Sequence, residues 1–478
     1  MIGELYDSSK ELFMEYGVSG FVLLLPIITI PYVSRVLGPT GIGINAYTNS
    51  VVQYFILFGT LGITVYGNRE VAYERDDPQK LSNVFWELTF LKFLTTGVAV
   101  IAYLTFIFLS KQYRVFYLIQ GSLLLASAID VSWFFQGLEE FRITVVRNTF
   151  VKIISLVLIF TLVRTKNDLW IYVLILGGSQ LIGNLTLIPY LTRYVKWPVL
   201  RKMRLGRHLK PTIGMFIPQI ASQIYLQVNK TMLGAYIGVE AAGYYDNSDK
   251  IIKILLAIVT ATGTVLLPHV AHSFARGDRK AVFSSLSKSM HFILLLAFPM
   301  SAGLASISPV FTNVFFGIKF SAVAVLLAIE SLVIILVGIS NAIGIQYLLP
   351  TNQTRPFTVS VALGAIVNIF LNIPMILLWG TVGAMTATVI SEAAVTAYQL
   401  VYVRKQMDIS LLFTETWKYL LSASLMGAYI FWYMHFMPFG NMVKLVTTIL
   451  LGTIIYILIL LLLKPRHLIE MVSSIRQR

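Results

Sequence analysis

Apolar runs of about 20 residues, separated by short polar breaks, recur along the whole chain, and each is long enough to cross a bilayer as a helix. They fall at 12–34, 45–67, 84–108, 116–136, 146–163, 170–192, 212–236, 249–272, 289–312, 322–348, 357–378, 382–403, 418–436 and 442–463. Asp130 and Lys152 intrude into the fourth and fifth runs, so the expected count is 12 to 14. Hydrocarbon offers backbone groups no partner, which makes a run of this length a helix. Of the 478 residues, 57% are hydrophobic and 12% charged, against about 25% charged in soluble proteins. Mean hydropathy is +0.77. A water-soluble enzyme is excluded, and the expected fold class is an all-α membrane protein of ~14 transmembrane helices.

The chain has no cysteine, hence no disulfide, thiolate nucleophile or Cys-based metal site. Its first ten residues hold no apolar core of the kind a signal peptide needs, so no cleavable signal is expected. Basic residues set the orientation. With the N-terminus inside, segments 1–11, 68–83, 137–152, 193–211, 273–288, 349–356, 404–418 and 464–478 hold 26 of the 37 basic residues. Outer loops and helix ends hold nine. Both termini are therefore expected in the cytoplasm, and the net charge of +15 reflects topology, not nucleic-acid binding. The most basic stretch, Arg193–Lys210, reads as a linker lying against anionic headgroups.

An internal repeat organises the spans. LGPTGIGINAYT (37–48) aligns with IGVEAAGYYDNS (237–248), placing Gly38 on Gly238 and Gly43 on Gly243. Arg75, Asp77 and Lys80 likewise resemble Arg276, Asp278 and Lys280. Six helices separate the copies, so both halves cross the membrane in the same direction, related by a pseudo-two-fold along the membrane normal. The expected division is an N-terminal lobe of six helices (1–195), a basic cytoplasmic linker (196–211), a C-terminal lobe of six (212–405), and two further helices with a tail (406–478). Two such lobes facing each other would enclose a central cavity.

PYVSRVLGPTGIG (31–43), DVSWFFQGLEEFRITVVRN (130–148), AGYYDNSDKI (242–251) and LLPHVAHSF (266–274) resemble signature segments of the polysaccharide transporter family. That family belongs to the multidrug/oligosaccharidyl-lipid/polysaccharide exporter superfamily. The resemblance covers nearly the full chain. It implies a flippase of the bacterial plasma membrane that carries undecaprenyl-diphosphate-linked oligosaccharides to the outer leaflet by alternating access, with a polymerase or glycosyltransferase of the same pathway as a further partner.

Ionisable and amide side chains inside spans mark functional candidates. In the seventh run, Gln219, Gln223, Gln227 and Lys230 project within an arc of about 80° at 100° per residue. Glutamine amides suit sugar hydroxyls and Lys230 suits a diphosphate; the bland alternative is interhelical hydrogen bonding. Pro218 in this run, and Pro26 and Pro31 in the first, are expected to bend their helices. Arg35 either receives the diphosphate near the outer face or snorkels to the interface. Lys250 and Lys253 either draw the lipid outward or neutralise Asp246 and Asp249. Lys92 and Asp130 on neighbouring helices read as a structural ion pair.

No cofactor is expected beyond a coupling ion. Asn368, Asn372 and Glu392, with Thr381, Thr388 and Thr396 near Glu392, offer the oxygen set a hard cation wants, and the resemblance implies an Na⁺ or H⁺ coupling site there. The seventh run supplies Asn229 and Lys230 but no acid, which weakens the Na⁺ version. Glu330 is a second proton-carrier candidate. His269 and His272 read as an interfacial pair, not a metal site. No Walker A pattern and no nucleophile–base pair is present, so no enzyme activity is expected. Two other readings compete: a multidrug/cation antiporter of the same superfamily, which wants an acidic cavity, and a non-transporting membrane scaffold, which has no use for the glutamine–lysine arc.

Overall fold

The computed structural model describes residues 2–197 and 203–465, with backbone alone at 2–24, 217, 218, 221, 222, 225 and 262–269. Part of the basic linker (198–202) and most of the C-terminal tail (466–478) lie outside the described residues, as do the side chains of Pro218 and His269. Among the described residues the secondary structure is helical, with no strand. In chain order the helices are α1 (Ile2–Thr60), α2 (Ile63–Glu74), α3 (Pro78–Leu109), α4 (Arg114–Ile129), α5 (Ser132–Gly137), α6 (Phe141–Leu162), α7 (Leu169–Leu185), α8 (Ile188–Leu191), α9 (Gly206–Tyr236), α10 (Val239–Ala275), α11 (Arg279–Phe315), α12 (Ala322–Ile343), α13 (Thr354–Val403), α14 (Thr416–Phe436) and α15 (Asn441–Leu463). Nine helical segments among the described residues are long and apolar enough to cross a membrane. The chain is a multi-span, all-helical membrane protein.

Two of those segments are 50 residues long, Leu25–Glu74 and Thr354–Val403. Fifty residues of straight helix would extend about 75 Å, more than twice the ~30 Å hydrocarbon core, so each must break. Leu25–Glu74 breaks at Gly38 (φ +71°) and again at Gly62 (φ +75°) between α1 and α2, and Thr354–Val403 breaks at Gly380 (φ +57°, ψ −128°) in α13. At Gly380 the chain doubles back. Gln399 Nε2 donates to Ser360 Oγ at 2.9 Å, and a Cβ on Gly383 would sit 1.8 Å from the Met375 carbonyl oxygen. The eleventh and twelfth runs are thus the two arms of one hairpin. Helical dihedrals continue through Pro26 and Pro31, so in α1 the break lies at Gly38 and not at the prolines.

The fourth run is two helices. Asp130 adopts extended dihedrals at the end of α4, and its carboxylate accepts from Ser132 N at 2.9 Å, starting α5. The signature stretch that follows is packing: Trp133, Phe134 and Phe135 are fully buried against Phe85 and Val71, and a Cβ on Gly67 would lie 2.5 Å from the Trp133 ring. Asp77 and Asp278, aligned in the repeat, are both helix caps. Asp77 accepts from Gln79 N and Lys80 N at the start of α3, and Asp278 accepts from Ala281 N at the start of α11. The Lys80 backbone N–H holds the Asp77 carboxyl below its ordinary range.

The chain forms two compact units, Met1–Gly243 and Tyr244–Arg478. Within the first, the two repeat signatures meet. A Cβ on Gly43 would lie 1.9 Å from Val239 O, and one on Gly243 would lie 3.0 Å from Pro39 O. Thr40 Oγ1 donates to Glu240 Oε1 at 2.5 Å. An offset of 200 carries the Gly43–Val239 contact onto the Gly243–Pro39 contact, and Thr40 and Glu240 are themselves 200 positions apart, so the contacts are reciprocal.

Gly43→Ala should therefore force backbone apart and cost about 1–3 kcal/mol, and Gly380→Ala a similar amount through its disallowed dihedrals. Gly97→Ala, in open space within α3, should be neutral or slightly stabilising. Thermal unfolding of the purified protein in detergent compares the three, and equal midpoints would refute the close approach.

Candidate functional site

α9 runs antiparallel to the second half of α1. Phe216 stacks edge-on against Phe58 at 5.6 Å, Thr231 Oγ1 lies 2.9 Å from Ser50 Oγ and 3.1 Å from Tyr54 Oη, and Gly234 takes the Tyr47 ring. On a wheel of about 100° per residue, Phe216 and Gly234 fall inside the arc of Gln219, Gln223, Gln227 and Lys230. The arc thus lies along the α1–α9 seam. Gln223 is its exposed member, while Gln219, Gln227 and Lys230 are half-buried. Gln219 and Lys230 are each engaged by a neighbouring group.

Arg35 is exposed near the end of the first half of α1. Lys250 and Lys253 each pair with the acid one turn earlier in α10, Lys250 with Asp246 at 2.5 Å and Lys253 with Asp249 at 2.7 Å. Lys92 and Asp130 do meet, but not as an ion pair. Lys92, 1% exposed, donates to the Asp130 backbone carbonyl at 2.7 Å, because the Asp130 carboxylate is turned to start α5.

In α13 the Asn372 amide donates to Asn368 Oδ1 at 2.7 Å, and Asn368 Nδ2 is buried without a hydrogen-bond partner. Glu392, on the other arm of the hairpin, is half-buried. Of the nearby threonines, Thr388 bonds Tyr245 at 3.0 Å and Thr396 donates to Leu336 O at 3.0 Å. Among the described residues no three His, Cys, Asp or Glu side chains cluster as metal ligands, and His272 is exposed.

Glu330 occupies a place that the repeat clarifies. In the first unit Gln120 of α4 bonds Asn45 at 3.2 Å, Thr48 at 3.4 Å and Asn49 at 3.3 Å. In the second, Glu330 of α12 accepts from Ser248 at 2.6 Å. Ser248 is the repeat equivalent of Thr48, so the same inner position carries an amide in one unit and a carboxylate in the other.

The sequence reading missed one polar cluster. Glu87, 3% exposed in α3, accepts from Arg204 N at 2.8 Å, from Arg207 Nη2 at 2.7 Å and from His208 Nε2 at 2.8 Å. His208 is 2% exposed, and its Nδ1 meets Tyr66 Oη at 2.9 Å. The end of the basic linker is thus clamped onto a buried acid instead of lying wholly against headgroups. Only a carboxylate early in α3 hinted at this, and nothing in spacing joins it to residues more than 100 positions later. Glu87→Ala strips the acceptor from three donors. With Arg207 half exposed, the cost should sit near the lower end of the 3–5 kcal/mol for a broken buried pair, about 3 kcal/mol. Thermal unfolding reads this, and the double variant with Arg207→Ala should lose less than the sum of the singles.

Residues 10–274 match the family described as "Polysaccharide biosynthesis protein". A relative in Escherichia coli (strain K12) named "Putative O-antigen transporter" is 23% identical over 392 residues, covering 81% of this chain and 94% of the relative. Among solved structures, the lipid II flippase MurJ in an inward closed conformation superposes with a TM-score of 0.73 at 16% identity, covering 94% of this chain and 98% of that one. An inward-facing multidrug resistance transporter of the MATE family, itself described as belonging to the MOP superfamily, gives 0.63 at 14% identity, over 82% and 95% of the two chains. At these identities the structures establish a shared fold, and the family match runs over more than half of the sequence. The chain belongs to the polysaccharide biosynthesis protein family.

Proposed function

We propose that this protein is a flippase, not an enzyme, which moves undecaprenyl-diphosphate-linked oligosaccharides from the inner to the outer leaflet of the bacterial plasma membrane by alternating access. The observation that carries the reading is the α9 arc: three glutamines and a lysine on one face of one helix. Such a face pairs amides with sugar hydroxyls and an ammonium with phosphate. The family match and the relative named as an O-antigen transporter support it. Both termini lie inside in this reading, following the distribution of basic residues. Arg35 in the first unit, and Lys250 and Lys253 in the second, are the outer cations offered to the diphosphate, the two lysines exchanging their aspartates for it.

For coupling, Asn368, Asn372 and Glu392 are the oxygen donors offered to an ion. The membrane potential is the simpler drive. Each negative charge moved outward across 100 mV gains about 2.3 kcal/mol, and a diphosphate carries more than one. Glu392 and Glu330 remain the carboxylates available to a proton. The drug-antiporter reading fits less well, because the patterned face is amide and cationic where a cationic drug needs acid.

Two measurements test this. In liposomes containing an undecaprenyl-diphosphate oligosaccharide, Lys230→Gln should slow protein-dependent transbilayer movement about tenfold, the loss of one charge-assisted hydrogen bond, and an inside-negative potential should speed the wild type. Transport of a cationic dye in place of the lipid would overturn the assignment. The chain's lack of cysteine permits single-cysteine mapping: Arg75→Cys and Arg276→Cys should react with an impermeant maleimide in inside-out vesicles only, and Lys111→Cys in right-side-out vesicles only.

A further inference from the structure

A groove of about 1000 Å³ follows the seam between α6 and α7 in the first unit. Its walls are apolar, with Val146, Phe150 and Ile154 from α6 and Ile175 and Ile182 from α7. Gly178 opens the middle, since no atom lies within 4 Å of where its Cβ would be. Along α6 the lining reaches from Arg142 to Leu158, about 24 Å at 1.5 Å per residue.

One end of the groove is charged. Arg142, Arg147 and Arg193 line it together with a single carboxylate, Glu140. Glu140 already accepts from the Tyr194 hydroxyl at 3.0 Å. Arg193 is held over the Tyr190 ring at 5.7 Å. Arg147 is 8% exposed, and its Nη1 donates to Asn184 Oδ1 at 2.9 Å. Asn184 is locked in that orientation by its own bond to Ala126 O at 2.7 Å. The Arg147 Nε is left buried with no hydrogen-bond partner. The Asp130 carboxylate acts on Arg147 electrostatically, and the planar guanidinium keeps a spare donor that fits phosphate oxygens.

The geometry points to a polyisoprenoid diphosphate lipid docked on the outside of α6 and α7, its phosphates at Arg142, Arg147 and Arg193 and its tail in the apolar slot. Charge complementarity selects an anionic head. Beyond the arginines the apolar slot from Arg147 to Leu158 runs about 16 Å at 1.5 Å per residue, the depth of one leaflet, which seats a lipid tail. On the orientation proposed above, the arginines face the inner leaflet, so the groove holds the carrier lipid on the side from which it is loaded. The assignment of this lipid rests on the flippase reading; the groove and the spare donor on its buried arginine do not.

The test is photo-crosslinking in phosphatidylglycerol nanodiscs, with benzoylphenylalanine in place of Phe150 and undecaprenyl diphosphate as probe. A covalent adduct of the undecaprenyl lipid is expected. It should fall about tenfold in Arg147→Gln, comparably in the doubly exposed Arg142→Gln/Arg193→Gln, and further in Gly178→Trp, which fills the slot. The exposed pair keeps the test decisive if Arg147→Gln fails to fold. An adduct with phosphatidylglycerol that undecaprenyl diphosphate does not compete away would overturn the proposal, as would a yield indifferent to the arginines. Because binding is read separately from transport, transport without groove binding sinks this inference alone. Groove binding without transport sinks the flippase assignment and leaves the site standing.

Discussion

Hydrocarbon supplies no hydrogen bonds, and that constraint decides nearly every feature of this protein. It forces each apolar run into a helix that satisfies its own backbone, and it makes any interruption within the membrane a place that must be closed by side chains or by another helix. The breaks at Gly38, Asp130 and Gly380 obey it in different ways. Asp130 turns its carboxylate onto the next helix start, and its freed carbonyl is taken up by Lys92. At Gly380 the chain reverses so tightly that the two arms touch backbone to backbone at Gly383 and Met375.

The same constraint explains why the repeat signatures are rich in glycine. With little gain from hiding apolar surface among lipid tails, helices associate by close packing at small residues. Gly43 and Gly243 let two chain segments approach until a methyl group would not fit. The Thr40–Glu240 bond adds a polar clasp beside them. Glycines that recur at an offset of 200 and contact each other reciprocally are thus one device seen twice, a two-fold packing contact written into both halves of the gene product.

Polar groups buried in such a setting divide by what holds them. Glu87 is saturated by donors from the linker, and Lys92 donates to one carbonyl; both behave as structural anchors. Gln120 and Glu330 fill equivalent positions with different chemistry, which gives the second unit a titratable group where the first has a neutral one. Arg147 keeps a buried Nε that its neighbours leave without a hydrogen bond. A partly satisfied buried cation is the pattern that a bound anion completes.

The sequence by itself determined the helical, multi-span class, the near-complete set of spans and the repeat, because a period of about 20 apolar residues and an offset of 200 are properties of linear order. It also marked Asp77 and Asp278 as equivalent, for a helix cap acts over three residues. Partnerships between distant residues were decided only by the tertiary structure. Lys92 was legible as a buried cation seeking Asp130, but not that the carbonyl, not the carboxylate, would receive it. The α9 arc was legible as a polar face, but its burial along α1 was not, since helical periodicity says which residues share a face and nothing about what that face meets. Glu87 with His208, and Arg147 with Asn184, lie far apart in the chain. Spacing carries no trace of such contacts; they exist because folded helices bring one buried charge to the only groups able to satisfy it.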